Sequence, residues 1–222
     1  MSKRLWAPLY NTFLANTRHS FTKALTLFAD THAKLANEQT DPDIANMYNM
    51  LDPIFRDYAI IYANWQTVKG TYKGKTASLQ DILENQMTQK LRLWEGAVRN
   101  VYTEDSPTEI EIFPNKRAPF LKGTYENRII AIKALADKLT EYAPLNALQI
   151  QVISFYNTLE SIRLRQQEKE GDVKRLSVLL ENQRIIVCET MYAILGLLMF
   201  KYKSNPNDIA RFFDFSLIRR TK

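Results

Sequence analysis

Apolar side chains recur along this chain at steps of three and four, the spacing that lines up one face of an α-helix. Trp6, Leu9, Phe13, Thr17, Phe21, Leu25 and Phe28 follow that step, and Leu35 extends the stripe. A second stripe runs through Ile44, Met47, Leu51, Ile54, Tyr58, Ile61 and Trp65. Its start is marked by Asp41 as a cap, Pro42 in the first turn and Asp43 at the positive end of the helix dipole. Pro53 predicts a kink or a restart, with Asp52 as the new cap. A third stripe (Leu79, Leu83, Gln86, Trp94, Val98) begins at Ser78, with Asp81 placed as a capping-box variant. The plan then repeats. Thr124 caps a helix over Tyr125–Tyr142 that stops near Pro144, and a helix over Ala147–Glu170 ends at Gly171. The last helix, Lys174–Tyr202, is apolar on nearly all sides, which predicts a central position.

The repetition reaches the residues themselves, as an internal duplication should. Tyr48-Asn49-Met-Leu-Asp-Pro-Ile54 answers Tyr156-Asn157-Thr-Leu-Glu-Ser-Ile162, and Leu79-Gln-Asp-Ile-Leu-Glu-Asn-Gln86 answers Leu176-Ser-Val-Leu-Leu-Glu-Asn-Gln183. Pro107, Ile110 and Phe113 share a P-x-x-I-x-x-F pattern with Pro206, Ile209 and Phe212, and Lys23-Ala24-Leu25 weakly echoes Lys133-Ala134-Leu135. These matches keep their order at separations of 108, 97, 99 and 110 residues. The expected architecture is therefore all-α: about six long helices in two pseudo-symmetric three-helix halves, packed as one globular bundle. Residues 1–115 form the first helical repeat, with a basic insertion near 66–77, and residues 116–222 form the second. Each half ends in a short irregular or strand-like tail. Glu109–Phe113 alternates with period two, whereas Asn205-Pro206 more readily opens a short helix.

Composition agrees with a helical core: 45% of residues are apolar, 24% are charged, and only 6 of 222 are glycine. The lone cysteine, Cys188, allows no internal disulfide and sits in an apolar run, where it reads as a small buried hydrophobe. The basic N-terminus is interrupted by Tyr10, Asn11, Thr12 and Asn16, unlike a secretory signal. The most apolar segment, Ile185–Phe200, is 16 residues long, short of the roughly 20 that a spanning helix needs. A protein with no transmembrane segment is expected, cytoplasmic or held within an intracellular or viral assembly. The net charge of +6 is spread along the chain, whereas a nucleic-acid binder concentrates it.

Catalytic and metal chemistry find little to work with. The only histidines, His19 and His32, stand 13 residues apart, which is not the i, i+4 spacing of a zinc helix. No Glu-x-x-His pair offers a di-iron site, and one cysteine cannot build a thiolate cage. No catalytic, cofactor-binding or metal-ligating residue is assigned, and no cofactor is expected. Gly70-Thr-Tyr-Lys-Gly74-Lys75-Thr76 resembles a phosphate loop, but it is one residue short and follows a helical stripe instead of a strand. It reads instead as an exposed basic loop or small hairpin.

Two groups of residues remain as candidates. Lys69, Tyr72, Lys73, Lys75, Lys116, Arg117, Lys122, Arg219, Arg220 and Lys222 are positions for contact with a partner. The repeated polar positions Tyr48, Asn49, Glu84, Asn85, Gln86, Tyr156, Asn157, Glu181, Asn182 and Gln183 predict either a buried seam that fixes register or a ligand pocket. The function expected is that of a non-enzymatic structural or adaptor protein contacting other protein subunits, in a homo- or hetero-oligomer. Nucleic-acid association through the basic segments and the C-terminal tail is one alternative. A small-ligand binder using the repeated Glu-Asn-Gln is the other.

Overall fold

The computed structural model describes residues 11–18, 20–214 and 217, and among them it is all-helical, with no strand. Eight α-helices occur: α1 (Thr12–Thr17), α2 (Phe21–Ala36), α3 (Pro42–Asp81), α4 (Met87–Arg99), α5 (Pro107–Ile112), α6 (Ala118–Leu121), α7 (Tyr125–Lys138) and α8 (Asn146–Lys201). A π-helical turn, Ile82–Gln86, joins α3 to α4, and a 3-10 turn, Pro206–Arg211, follows α8. The chain divides into two compact units, one made of residues 1–68 with 172–222 and the other of residues 69–171.

The first unit contains α1, α2, α3 up to Val68, α8 from Asp172, and the 3-10 turn. Asn11 caps α1, Ser20 caps α2 through the Lys23 amide, and Asp41 Oδ1 accepts from the amides of Asp43 and Ile44. The faces that then meet are the predicted stripes. Phe13, Leu27, Phe28, Leu35, Ile44, Leu51 and Tyr58 pack with Leu180, Val187, Met191, Ile194, Leu198, Phe212 and Phe213. Burial of each such side chain stabilises by about 1.5–3 kcal/mol relative to exposure. Phe13 meets Phe213 with ring centroids 5.3 Å apart, and Tyr58 donates to the Phe21 carbonyl at 2.9 Å. Lys201, near the end of α8, holds Asp41 at 2.8 Å and Asp43 at 2.6 Å at the start of α3. Cys188 is fully buried, 3.4 Å from the Thr17 hydroxyl, and burial raises its thiol pKa.

The second unit contains the end of α3, the π turn, α4 to α7, and α8 up to Gly171. Its core joins Leu79, Leu83, Met87, Leu91, Trp94 and Val98 to Phe113, Phe120, Ile132, Leu135, Leu139, Val152 and Leu159. Phe113 and Phe120 meet edge-on at 6.2 Å. Ser106 caps α5, with Pro107 in the first turn, and Thr124 caps α7 as the sequence predicts.

Several expected breaks do not occur. Pro53 lies inside an unbroken α3. It is exposed, as is Asn49 one turn earlier, so the carbonyl that proline leaves unbonded is on the wet side of the helix. The 66–77 insertion is neither loop nor hairpin, because α3 runs through Gly70, Gly74 and Ser78 without a new start. α8 likewise continues through Gly171. An ideal Cβ at any of these three glycines would meet nothing within 4 Å. Each therefore costs only its intrinsic penalty of about 1 kcal/mol, less than the flanking buried turns return. The strand-like tail Glu109–Phe113 lies in α5 and its C-cap, where the Ser106–Pro107 start overrides the period-two pattern.

The last helix also differs from expectation. It is not enclosed on all sides, since Ile186, Leu197, Met199 and Phe200 are 44%, 44%, 48% and 75% exposed. Its length is no barrier to spanning a bilayer either. The helical run Ala143–Lys201 contains an 18-residue window of mean hydropathy 1.4, 33% of it buried. By length and composition alone, one helix among the described residues is able to cross a membrane.

Candidate functional site

The described contact candidates fall in the second unit, on α3, on a loop and at the two ends of α6. Lys69, Tyr72, Lys73 and Lys75 are on α3; Lys73 is exposed, and the other three are partly covered. Lys116 lies on a loop with φ of 49°, its ammonium 3.8 Å from Asp105. Arg117 is engaged internally, gripping the buried Glu95 carboxylate through Nε and Nη2. Lys122 is exposed at the C-cap of α6. Arg219, Arg220 and Lys222 lie outside the described residues, as does His19.

The repeated polar positions behave differently in their two occurrences. Tyr48 donates to Asp52 at 3.1 Å and Tyr156 donates to Glu160 at 2.7 Å, each to a carboxylate four residues on. Asn49 and Asn157 are exposed. Glu84, Asn85 and Gln86 are exposed as well. Asn85 and Gln86 bond Asp81 of their own helical run, and Glu84 accepts from Gln80 and from Tyr125. In the other occurrence Gln183 does reach a neighbouring helix, donating to the Ile54 carbonyl of α3 at 3.0 Å. Asn182 is exposed, and Glu181 binds Arg184.

Two buried arginines, absent from the candidate set, organise the polar interior. Arg184 is 3% exposed. Its Nε and Nη2 hold both oxygens of Glu181 at 2.8 and 2.7 Å, while Nη1 donates to the Thr17 hydroxyl at 2.6 Å and to the Leu14 carbonyl at 3.3 Å. It thereby fastens α1 to α8, helped by the Asn11 amide on the Cys188 carbonyl. The guanidinium holds the Glu181 carboxyl below the usual glutamate range. In the second unit Arg128 donates to the Phe120 carbonyl at 2.7 Å and to the Leu83 carbonyl inside the π turn. A π turn lengthens the local hydrogen-bond register, and Arg128 takes up a carbonyl there. The signal in the sequence is positional: both arginines occupy core-facing places on otherwise apolar stripes.

His32 is the one histidine described. Its Nε2 lies 2.8 Å from Asp52 Oδ1, an oxygen that also accepts from Tyr48 and from Arg56 Nε. The ring sits between Tyr48 and Phe55, at centroid distances of 5.0 and 4.6 Å. The His32 hydrogen bond is the main cause that keeps the Asp52 carboxyl below its ordinary range. Chemically the cluster is a tether between α2 and α3. Among the described residues no group of three or more His, Cys, Asp or Glu is placed to hold a metal ion.

Two open surfaces among the described residues bear on binding. On the first unit Ile186, Thr190, Ala193, Leu197 and Phe200 follow steps of four and three along α8, with all but Thr190 exposed. On the second, a depression of about 510 Å³ lies between α4 and the first half of α8, and an overlapping one of about 570 Å³ runs along α8 alone. They share Ile150, Ser154 and Thr158. Lys90 and Trp94 line one, and Arg165 lines the other. The chain matches no known protein family, no curated protein and no solved structure.

Proposed function

We propose that the protein is a non-enzymatic helical adaptor that binds other protein subunits in the cytoplasm or within an intracellular or viral assembly. The observation that carries this reading is the apolar stripe of α8, ending at Phe200 with 75% exposure. A contiguous exposed apolar face is where a protein partner gains the most from excluding water. Ala193 and Gly196 keep part of that face low, which suits close approach of a second helix. The test is light scattering behind size exclusion at low and high salt, with and without nuclease. A salt-resistant oligomer, or a co-purifying protein, is expected. Phe200→Ser together with Leu197→Ser should return it to a monomer without loss of helicity. A monomer that sheds nucleic acid under nuclease and salt would move the assignment to the basic segments.

The fold belongs to the same reading, as two diverged copies of one helical unit with exchanged parts. Buried positions support this at a constant separation. Ala24, Leu27, Phe28 and Thr31 correspond to Ile132, Leu135, Ala136 and Leu139, and Ile44, Leu51 and Tyr58 correspond to Val152, Leu159 and Gln166, all 108 residues apart. Further on the separation is 100. Met87, Leu91, Trp94 and Val98 correspond to Val187, Met191, Ile194 and Leu198, and Ile112 and Phe113 correspond to Phe212 and Phe213. The Phe13–Phe213 and Phe120–Phe113 pairs answer one another. In this register each compact unit takes its first helices from one copy and its third helix and tail from the other. The Glu-Asn-Gln match, at a separation of 97, then falls three residues out of register, in keeping with the different surroundings of its two occurrences.

A further inference from the structure

We infer that the depression between α4 and the first half of α8, together with the α8 face that continues it to Arg165, is a docking groove for an acidic amphipathic helix of a partner protein; the inference rests on the adaptor reading above.

Charge comes first. Lys90 lines the depression against α4, Arg165 lines its continuation along α8, and neither lining holds an aspartate or glutamate. Three other cations of this unit are by contrast paired, Arg117 with Glu95, Arg99 with Glu109 and Lys138 with Glu141. A groove that keeps two cations and omits carboxylates is complementary to a negative ligand. Between the cations lie the neutral hydrogen-bonding side chains Gln151, Ser154, Asn157, Thr158 and Ser161.

The apolar part separates protein from nucleic acid. Ile150 is 63% exposed within the lining and offers a ligand a bare aliphatic contact. The aromatic floor is already covered: Trp94 is 2% exposed, it meets Phe155 edge-on at 5.5 Å, and the Lys90 ammonium lies 5.8 Å from the Phe155 ring centroid. Neither ring presents an open face on which a base could stack. Two cations are also few for tracking a phosphate backbone. Ile150 and Arg165 are fifteen residues apart on one helix, roughly 22 Å at 1.5 Å per residue. A partner helix of about 16 residues is the matching length, with a leucine stripe toward Ile150 and glutamates toward Lys90 and Arg165.

The probe is a fluorescent helical peptide of that design, titrated into the full chain with anisotropy as the readout. The peptide is expected to bind. Its lysine-for-glutamate counterpart and an oligothymidine of about 20 nucleotides are expected neither to bind nor to compete. Lys90→Glu with Arg165→Glu should weaken binding by more than about tenfold, since two attractions become repulsions. Lys90→Gln with Arg165→Gln should fall in between, with unchanged circular dichroism, and Ile150→Ser should weaken binding without altering the salt slope. No binding by the acidic peptide, equal binding by the charge-reversed variant, or displacement by oligothymidine would overturn the inference. The two readings fail separately. Salt-resistant assembly without peptide binding leaves the adaptor standing and removes the groove, whereas peptide binding by a monomeric chain does the reverse.

Discussion

Arg184→Ala tests how α1 is held. The substitution removes four hydrogen bonds to oxygen and a long one to Cys188 Sγ, and they are not of equal weight. Glu181 is 39% exposed at its side chain and rehydrates on losing its partner, so that half of the cluster contributes no more than about 1 kcal/mol. The Leu14 carbonyl and the Thr17 hydroxyl each lose a charged donor. Thr17 is 2% exposed and keeps its own bond to the Phe13 carbonyl at 2.7 Å, so the loss is about 1 kcal/mol for each acceptor. The void left by the aliphatic stem adds roughly 1–2 kcal/mol. The sum is a destabilisation of about 3–5 kcal/mol, read by urea unfolding at neutral pH, with faster amide exchange across residues 12–17. Arg184→Met keeps the stem volume and should cost about half as much. The ion pair also sets a sign with pH. Arg184 depresses the folded-state pKa of Glu181, so its stabilisation is complete above the ordinary glutamate range and is lost as pH falls through the folded value. The gap between wild type and Arg184→Met should therefore narrow on acidification. A cost below about 1 kcal/mol for Arg184→Ala, or equal costs for the two variants, would refute this account of the cluster.

Other substitutions probe the second unit and the long helices. Arg128→Met should destabilise by about 2–4 kcal/mol in a chemical melt, because the buried carbonyls of Leu83 and Phe120 lose a charged donor; a neutral result would disconnect Arg128 from the π turn. Gly70→Ala and Gly74→Ala should each raise stability by roughly 0.5–1 kcal/mol, seen as a higher Tm, because both lie in helix with open space around them. The same change at Gly123, where φ is +91°, should lower stability by about 1 kcal/mol or more. Equal effects at all three glycines would show that residues 70–74 are not helical.

The helices were legible because burial follows the three-four step: Phe13, Phe28, Ile44, Leu51, Leu83 and Leu198 sit on the predicted stripes and in the cores. The caps at Asp41 and Thr124 were legible for the same local reason. Where the helices end was not. Gly70, Gly74, Gly171 and Pro53 carry local breaking signals, yet each lies in continuous helix, because a penalty of about 1–3 kcal/mol at an exposed position yields to the packing on either side. Which segments share a unit could not be read from stripes either, since the third stripe of each half matches the second in period. The polar candidates misled where resemblance stood in for burial: Glu84, Asn85 and Gln86 are exposed. Arg128 and Arg184 went unremarked because an arginine on an apolar stripe is easily taken for a break in the pattern. The groove was not legible, because Lys90 and Arg165 belong to helices distant in sequence.

The division of the chain also sets an order of assembly during synthesis. The second unit is one contiguous stretch, residues 69–171, and every core residue it needs has been made once Gly171 is added. The first unit begins earlier and finishes last. Phe13, Phe28, Ile44 and Tyr58 are translated early, but the α8 and tail residues they pack against follow position 171. A nascent chain therefore carries a finished unit and an unmatched apolar half together, for the time that about 40 further residues, up to Phe213, take at the usual 5–20 residues per second. Interruption in that window leaves the first stripes uncovered beside a folded neighbour, which makes the early half of the chain the part with most need of a chaperone.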